Sequence, residues 1–153
     1  MPSFTTRHKV SHSADDMFAL VADVRSYPEF VPLCQALKVR GEAPLGEDKS
    51  VIIADMTVAY KMFRETFTSR VELEPDARTI IARYLDGPFK RMENRWRFEP
   101  EGPDHCIIEF YIDYEFRSRA LGSLMGTMFD RAFRKFSSAF EARADKLYGV
   151  QAA

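Results

Sequence analysis

The chain has 153 residues, of which 46% are hydrophobic and 29% are charged, and its formal net charge is −1 at pH 7. This balance excludes the overall positive field that drives nonspecific binding to DNA, so any binding to phosphates needs a local basic patch. The length and composition predict one globular domain, over residues 1–150, that needs neither metal nor disulfide to fold.

The N-terminal region is predicted to form a strand and then a short helix. Hydrophobic and polar residues alternate over residues 4–10, which is the period of a strand with one buried face. Ser13, followed by Asp16, is typical of a helix N-terminus, and the apolar spacing over residues 17–24 indicates an amphipathic helix. Two prolines then predict that residues 27–33 form a compact, aromatic, irregular turn.

The middle of the chain is predicted to contain about six further strands. Turn signals separate them, including the Asp-Gly-Pro sequence at residues 86–88. Their clean alternation indicates an antiparallel sheet with one packed and one solvated face. Three polar residues, Glu65, Ser69 and Asn94, fall on the inward face among large apolar side chains.

The last part of the chain is predicted to be one long amphipathic helix. Apolar residues recur at three- and four-residue steps from Leu121 to Leu147, so a helix over residues 121–148 would run roughly 40 Å. Gly122 and Gly126 are weak points where we expect a bend or a frayed start. The fold class is therefore α+β, with a sheet of about seven strands wrapped around this helix.

Four segments of the sequence resemble a known family. They are YPEFVPLC at 27–34, TFTSRV at 66–71, LDGPFK at 85–90 and WRF at 96–98. The chain resembles, over nearly its whole length, the coenzyme Q-binding and ribosome association toxin group of the START-like superfamily, which is also described as polyketide cyclase/dehydrase and lipid transport. The resemblance implies a helix-grip fold: a curved antiparallel sheet grips the C-terminal helix, with an elongated apolar cavity between them.

The resemblance implies two functions that the quoted segments do not separate. In the first, the protein is a non-catalytic carrier of ubiquinone or a related polyprenyl lipid, held as a ligand and not as a redox cofactor. It would support respiratory quinone function from the cytoplasm, with peripheral contact at the inner membrane. In the second, it binds a ribosomal subunit and blocks subunit association. A polyketide cyclase-like enzyme is a third alternative, and DNA is not expected as a partner.

The candidate ligand-binding residues are inward aromatic and methionine side chains, together with Glu65 and Asn94, whose polar groups would hydrogen-bond ring oxygens. An alternative for Glu65, an arginine partner or an outward orientation, stays open. The full set is Tyr27, Phe30, Met56, Phe63, Glu65, Phe67, Phe89, Met92, Asn94, Trp96, Met125, Met128, Phe129 and Phe133. On the long helix we expect Met125, Met128, Phe129 and Phe133 to border the cavity, and Phe140, Ala144 and Leu147 to be core.

No catalytic or metal-binding residue is predicted. The chain lacks HExxH and GxSxG motifs, and Cys34 and Cys106 have no CxxC spacing, which favours a reduced compartment. His8, on the inward face of the first strand, is the one histidine of interest, although such a residue is more often a hydrogen-bonded part of the core.

Two surfaces are candidates for contact with larger partners. Aromatic and apolar residues in turns, namely Tyr27, Phe30, Val31 and Phe89, suit contact with a lipid surface. The C-terminal region has a positive bias. If its cations converge with Arg91 and Arg95, they would form a patch for lipid phosphates or ribosomal RNA. These cations are Arg117, Arg119, Arg131, Arg134, Lys135 and Arg143.

Overall fold

The computed structural model describes residues 3–60 and 62–149, except for the side chains of Phe63 and Leu124. Within these residues the chain forms seven strands, two α-helices and one 3-10 helix. They are β1 (Ser3–Val10), α1 (Ala14–Ala22), the 3-10 helix (Val24–Glu29), β2 (Cys34–Pro44), β3 (Ser50–Tyr60), β4 (Phe63–Glu74), β5 (Thr79–Asp86), β6 (Phe89–Pro100), β7 (Cys106–Phe116) and α2 (Arg119–Tyr148).

The strands form one antiparallel sheet in the order β1-β7-β6-β5-β4-β3-β2. Strands β2 to β7 are a meander in which each strand pairs with the next, because short turns connect antiparallel neighbours. Strand β1 completes the sheet at the β7 edge, with Phe4 opposite Ile112 and Val10 opposite Cys106. The predicted α+β fold class, an antiparallel sheet of seven strands with a long C-terminal helix, is confirmed.

Helix α1 begins as the sequence predicts. The Ser13 hydroxyl accepts a hydrogen bond from the Asp16 backbone N–H at 3.1 Å, which satisfies one of the free donors of the first turn. The helix ends at Ala22, slightly earlier than expected. The following segment is more regular than predicted, since Pro28 lies inside the 3-10 helix.

Helix α2 is continuous from Arg119 to Tyr148 and starts at a Ser118 cap. Both glycines lie inside it, so the expected frayed start is wrong; Gly122 faces the Phe116 ring instead. The expectation that Leu147 is core is also wrong. Its exposed fraction is 52%, and residues 146–149 are all exposed.

Two histidine contacts attach the C-terminal half of α2 to the N-terminal segment. His8 Nε2 lies 2.9 Å from Glu141 Oε1, and His12 Nε2 lies 2.6 Å from Asp145 Oδ1. The two carboxylates are four residues apart and therefore share one helix face. His8, the histidine of interest in the sequence, is only half-buried. The side chain of His12 is fully buried.

The outer face of the sheet carries ion pairs, some across neighbouring strands and some along one strand. Arg91 pairs with Asp113 and Glu115 on β7, and Arg95 pairs with Glu93. These arginines alternate with the inward residues of β6, so they face away from α2. The expected convergence of Arg91 and Arg95 with the cations of the helix is therefore wrong.

Gly87→Ala is expected to destabilise the protein by about 1–3 kcal/mol. Gly87 has a φ of 141°, which is strained for any residue with a Cβ. A Cβ added there would also lie 2.6 Å from the Phe67 Cβ, which is a steric clash. Gly126→Ala is the matched control. It lies in the interior of α2 with nothing within 4 Å of an added Cβ, so we expect it to stabilise by up to about 1 kcal/mol. Urea denaturation of both variants measures the difference, and equal stabilities would contradict it.

Candidate functional site

A cavity of about 110 Å³ lies between the inward face of the sheet and α2. The side chains around it come from the 3-10 helix and following turn, from strands β2 to β7 and from α2. They are Val24, Tyr27, Val31, Pro32, Leu33, Leu37, Ala54, Met56, Val58, Phe67, Ser69, Val71, Ile80, Ala82, Phe89, Met92, Asn94, Trp96, Ile112, Phe129, Ala132, Phe133, Phe136 and Phe140. None of these residues carries an ionisable acid, base or thiol except for the Tyr27 hydroxyl.

The cavity exists because the residues beneath it are small. Ala54 of β3 is paired with Ser69 of β4, Ala82 of β5 lies diagonally across from Ser69, and Ala132 lines the cavity from α2. Large side chains surround this group, so the sheet and the helix are held apart where the small residues meet. Open space is the consequence of short side chains at these four positions.

Phe89 is the centre of an aromatic cluster at one end of the cavity. It is 1% exposed, and its ring centroid lies 5.5 Å from that of Phe67, 4.9 Å from Phe116 and 5.9 Å from Phe129. Its backbone N–H donates to the Tyr84 hydroxyl at 3.0 Å. This cluster connects β4, β5, β6, β7 and α2.

The turn between the 3-10 helix and β2 forms one wall of the cavity and is attached to α2. The Tyr27 hydroxyl donates to the Val21 carbonyl at 2.5 Å, and burial raises its pKa well above the usual range. Phe30 packs edge-on against Phe140 at 5.0 Å. Arg143 lies over the Phe30 ring at 5.0 Å and donates to Glu29 at 2.8 Å.

Leu33, in the same wall, has a strained backbone. Its φ is 68°, a left-handed conformation that costs a non-glycine residue about 1–2 kcal/mol. Its carbonyl accepts a hydrogen bond from the Ala59 N–H at 3.0 Å, which attaches the turn to β3.

Nine of the fourteen predicted site residues line the cavity. They are Tyr27, Met56, Phe67, Phe89, Met92, Asn94, Trp96, Phe129 and Phe133. Their role in binding stays a prediction. Phe140 also lines the cavity, which corrects the expectation that it is plain core.

The other five predicted residues are not among the lining. Phe30 packs on Phe140 behind the wall, and Met125 is 1% exposed in the core. Met128 is partly buried against the core, and Glu65 is half-buried opposite Val58 near the β3–β4 turn. The side chain of Phe63 lies outside the described residues.

The residues predicted to touch a lipid surface are not exposed aromatic groups. Phe89 and Val31 are buried, and Tyr27 and Phe30 are half-buried. They turn inward because the aromatic cluster and α2 offer them a packed environment. The exposed apolar side chains near these turns are instead Met62, at 96% exposure, and Leu85, at 53%.

Sequence reasoning missed the group of small residues and His12. Alternation places Ser69 on the inward face, but nothing in the sequence marks it as part of a cavity, because the neighbouring alanines belong to other strands. His12 follows a strand and precedes a helix cap, a position with no periodic signal. In the structure it is buried against Asp145.

Neither cysteine is expected to react with a thiol reagent in the folded protein. Burial raises the pKa of Cys34 to about 11 and that of Cys106 to about 12, so both thiols are protonated at neutral pH. A disulfide reagent added at pH 7.5 should modify neither residue within minutes and both after denaturation. Rapid modification of the native protein would contradict this.

The described residues offer no obvious metal centre or membrane span. Within residues 3–60 and 62–149 no three His, Cys, Asp or Glu side chains are grouped to hold a metal ion. No helix in this part of the chain combines the length and the hydrophobicity needed to cross a bilayer.

Comparison with known proteins gives one family. The family model described as "Polyketide cyclase / dehydrase and lipid transport" matches residues 10–141. The Ribosome association toxin RatA of Escherichia coli K12 is 31% identical over 151 residues, covering 99% of this chain and 92% of that protein. The Coenzyme Q-binding protein COQ10 homolog B of Xenopus laevis is 33% identical over 143 residues, covering 91% of this chain and 56% of that protein.

A solved structure has the same fold. The solution structure of the 18 kDa protein CC1736 from Caulobacter crescentus is 37% identical, with a TM-score of 0.79, and the match covers 98% of this chain and all of that one. Its strands and helices therefore superimpose along nearly the whole chain.

Proposed function

Because the chain belongs to the polyketide cyclase/dehydrase and lipid transport family, we propose that it binds a hydrophobic polyprenyl lipid, ubiquinone or a precursor, in the cavity between the sheet and α2. In this proposal residues 1–150 act as one ligand-binding domain that carries the lipid without chemically changing it. The observation that carries the proposal is the apolar cavity. A relative named for coenzyme Q binding supports the choice of ligand.

The size of the cavity sets a condition on binding. A volume of about 110 Å³ is smaller than the roughly 150 Å³ that holds one benzene molecule in an engineered cavity, so a ring with an isoprenoid tail needs more room. Met56 and Met92 line the cavity, and their flexible thioethers can move at little cost. The ligand therefore enters by moving side chains, and α2 or the Leu33 turn moves with them.

The lining also supports a carrier over an enzyme. A cyclase needs groups that donate and accept protons, and the described lining contains no His, Asp, Glu, Lys or Arg. The polar lining groups are the Tyr27 and Ser69 hydroxyls, the Asn94 amide and the Trp96 indole N–H. The Tyr27 hydroxyl and the Trp96 N–H already donate to Val21 and Asn94, and the Ser69 hydroxyl and the second Asn94 N–H suit hydrogen bonding to a ligand more than proton transfer.

Fluorescence of Trp96 tests the proposal. This residue is the single tryptophan of the chain and lines the cavity, so a bound quinone ring should quench it. We expect saturable quenching by a ubiquinone with a ten-carbon side chain, a higher Tm on addition of this quinone, and quinone in an organic extract of the purified protein. If extraction yields none and added quinone changes neither fluorescence nor Tm, the proposal fails.

A second candidate function, ribosome binding, is favoured by the exposed face of α2. Arg119, Arg131 and Lys135 are exposed there, and none of them has an ion pair within the described residues, in contrast to the neutralised outer face of the sheet. Such cations can bind the phosphates of RNA. The relatives named for ribosome association support this candidate.

Sedimentation of ribosomes with added protein tests the second candidate. If it holds, the protein should shift whole ribosomes toward free subunits. Arg131→Glu with Lys135→Glu should remove the shift, and Arg97→Glu, on the ion-paired face of the sheet, should keep it. An unchanged profile at micromolar protein excludes this function.

A further inference from the structure

Ser69 is a buried serine on the cavity wall whose hydroxyl has no hydrogen-bond partner in the part of the chain that the structure describes. Its exposed fraction is 7%, and it lines the cavity from β4. No hydrogen bond of this hydroxyl is found within residues 3–60 and 62–149. A hydroxyl that borders an apolar cavity without a hydrogen bond contributes little stability there, and it is free to donate to a ligand.

Asn94 is a second polar group on the same inward face, held in a fixed orientation. Its Oδ1 accepts from the Trp96 Nε1–H at 2.9 Å, and its Nδ2 donates to the Tyr111 carbonyl at 2.9 Å. The indole nitrogen can only donate and the carbonyl can only accept, so these contacts determine which end of the amide is which. One Nδ2–H is left over, on a side chain that lines the cavity.

The two polar groups lie on either side of strand β5. Ala82 of β5 is paired with Asn94, whereas Ser69 is paired with Tyr84, two residues further along β5, so Ser69 and Asn94 lie diagonally across this strand. Neighbouring strands lie about 4.8 Å apart and two residues span about 7 Å along a strand, which puts the Cα atoms of Ser69 and Asn94 about 12 Å from each other. An alanine between them leaves room for a planar ring.

We propose that Ser69 and Asn94 together select a ligand whose buried end is a ring with hydrogen-bonding oxygens on opposite sides. The ring lies over Ala82, one oxygen accepts from the Ser69 hydroxyl, and the other accepts from the free Nδ2–H of Asn94. This inference rests on the proposed lipid-binding function and adds which groups recognise the head of the lipid. Glu65, away from the lining, has no part in it.

Two ligands with the same tail test the inference. They are a ubiquinone with a ten-carbon side chain and decylbenzene, which has a ring and a tail but no ring oxygens. We expect the wild-type protein to bind the quinone at least about threefold more tightly, since each hydrogen bond contributes about 0.5–1.5 kcal/mol. Ser69→Ala should weaken quinone binding about three- to tenfold and leave decylbenzene binding unchanged.

Ser137→Ala is the matched control. Ser137 is also a buried serine without a hydrogen-bond partner, but it lies on α2 outside the cavity lining. Its replacement should change the binding of neither ligand. The comparison of the two ligands on the wild-type protein needs no variant, so it stands even if Ser69→Ala were to fold poorly.

The outcomes distinguish failure of the ring-recognition proposal from failure of the proposed lipid-binding function. Equal affinities of the wild-type protein for the two ligands, or Ser69→Ala with an unchanged ratio of affinities, overturn the inference and leave the carrier function in place. Failure of both ligands to bind overturns both.

Discussion

Phe89→Ala is expected to lower the free energy of unfolding by about 3–5 kcal/mol and the Tm by roughly 6–20 °C. The ring is fully buried and contacts Phe67, Tyr84, Phe116 and Phe129, so its removal leaves a hole among five elements of the fold. The substitution also extends the natural cavity, since Phe89 lines it. Urea and thermal denaturation measure the loss.

Leu85→Ala is the control for this experiment. Leu85 lies near the end of β5, beside the same turn, but it is 53% exposed. We therefore expect the free energy of unfolding to change by no more than about 0.5 kcal/mol. If Phe89 were an exposed lipid contact, its replacement would weaken binding to vesicles and leave the stability near that of the wild type. A small loss of stability for Phe89→Ala would thus contradict the packing described above.

Ala82→Leu is expected to reduce quinone affinity by at least about tenfold, or 1.4 kcal/mol, while the protein stays folded. The added carbon atoms extend from the sheet into the empty space between Ser69 and Asn94, where the ring is proposed to lie. Because that space is empty, the longer side chain needs little rearrangement, and the free energy of unfolding should change by less than about 1.5 kcal/mol. Quenching of Trp96 and urea denaturation measure the two quantities.

Ala36→Leu is the matched control for the cavity. It makes the same change on the exposed side of the edge strand β2, and it should alter neither binding nor stability appreciably. If Ala82→Leu bound quinone like the wild type, the cavity over Ala82 would not be the binding site. A loss of folding in Ala82→Leu would show that this space cannot accept a side chain.

The strands, the helices and their faces could be predicted from the sequence with small errors. Alternation gave the inward faces of β3, β4, β6 and β7, and the Ser13 cap gave the start of α1, because these signals are local. The expectation that Leu147 is core is wrong for the same reason, since it rests on a local signal. Periodicity identifies the apolar face of a helix, but whether anything covers the last turn depends on other elements, and Leu147 is left exposed.

The candidate site was predicted in part. Met92, Asn94 and Trp96 are expected at the cavity because alternation places them on the inward face and because the chain resembles a family with a cavity there. They do line it. Met125 was expected to border the cavity and Phe140 to be core, and the structure shows the reverse. Both are on the buried face of α2, and only the distance between helix and sheet at each turn decides which one meets open space.

The sequence by itself therefore determined the α+β class, the antiparallel sheet of about seven strands, the long C-terminal helix and the family. Each follows from patterns within one segment or from motifs along the chain. The tertiary structure alone decided that Phe89 is core, that the cations of α2 and the sheet lie apart, and that a cavity opens over Ala54, Ser69 and Ala82. A cavity is made by short side chains on different strands, and residues distant in sequence become neighbours only when the strands pair.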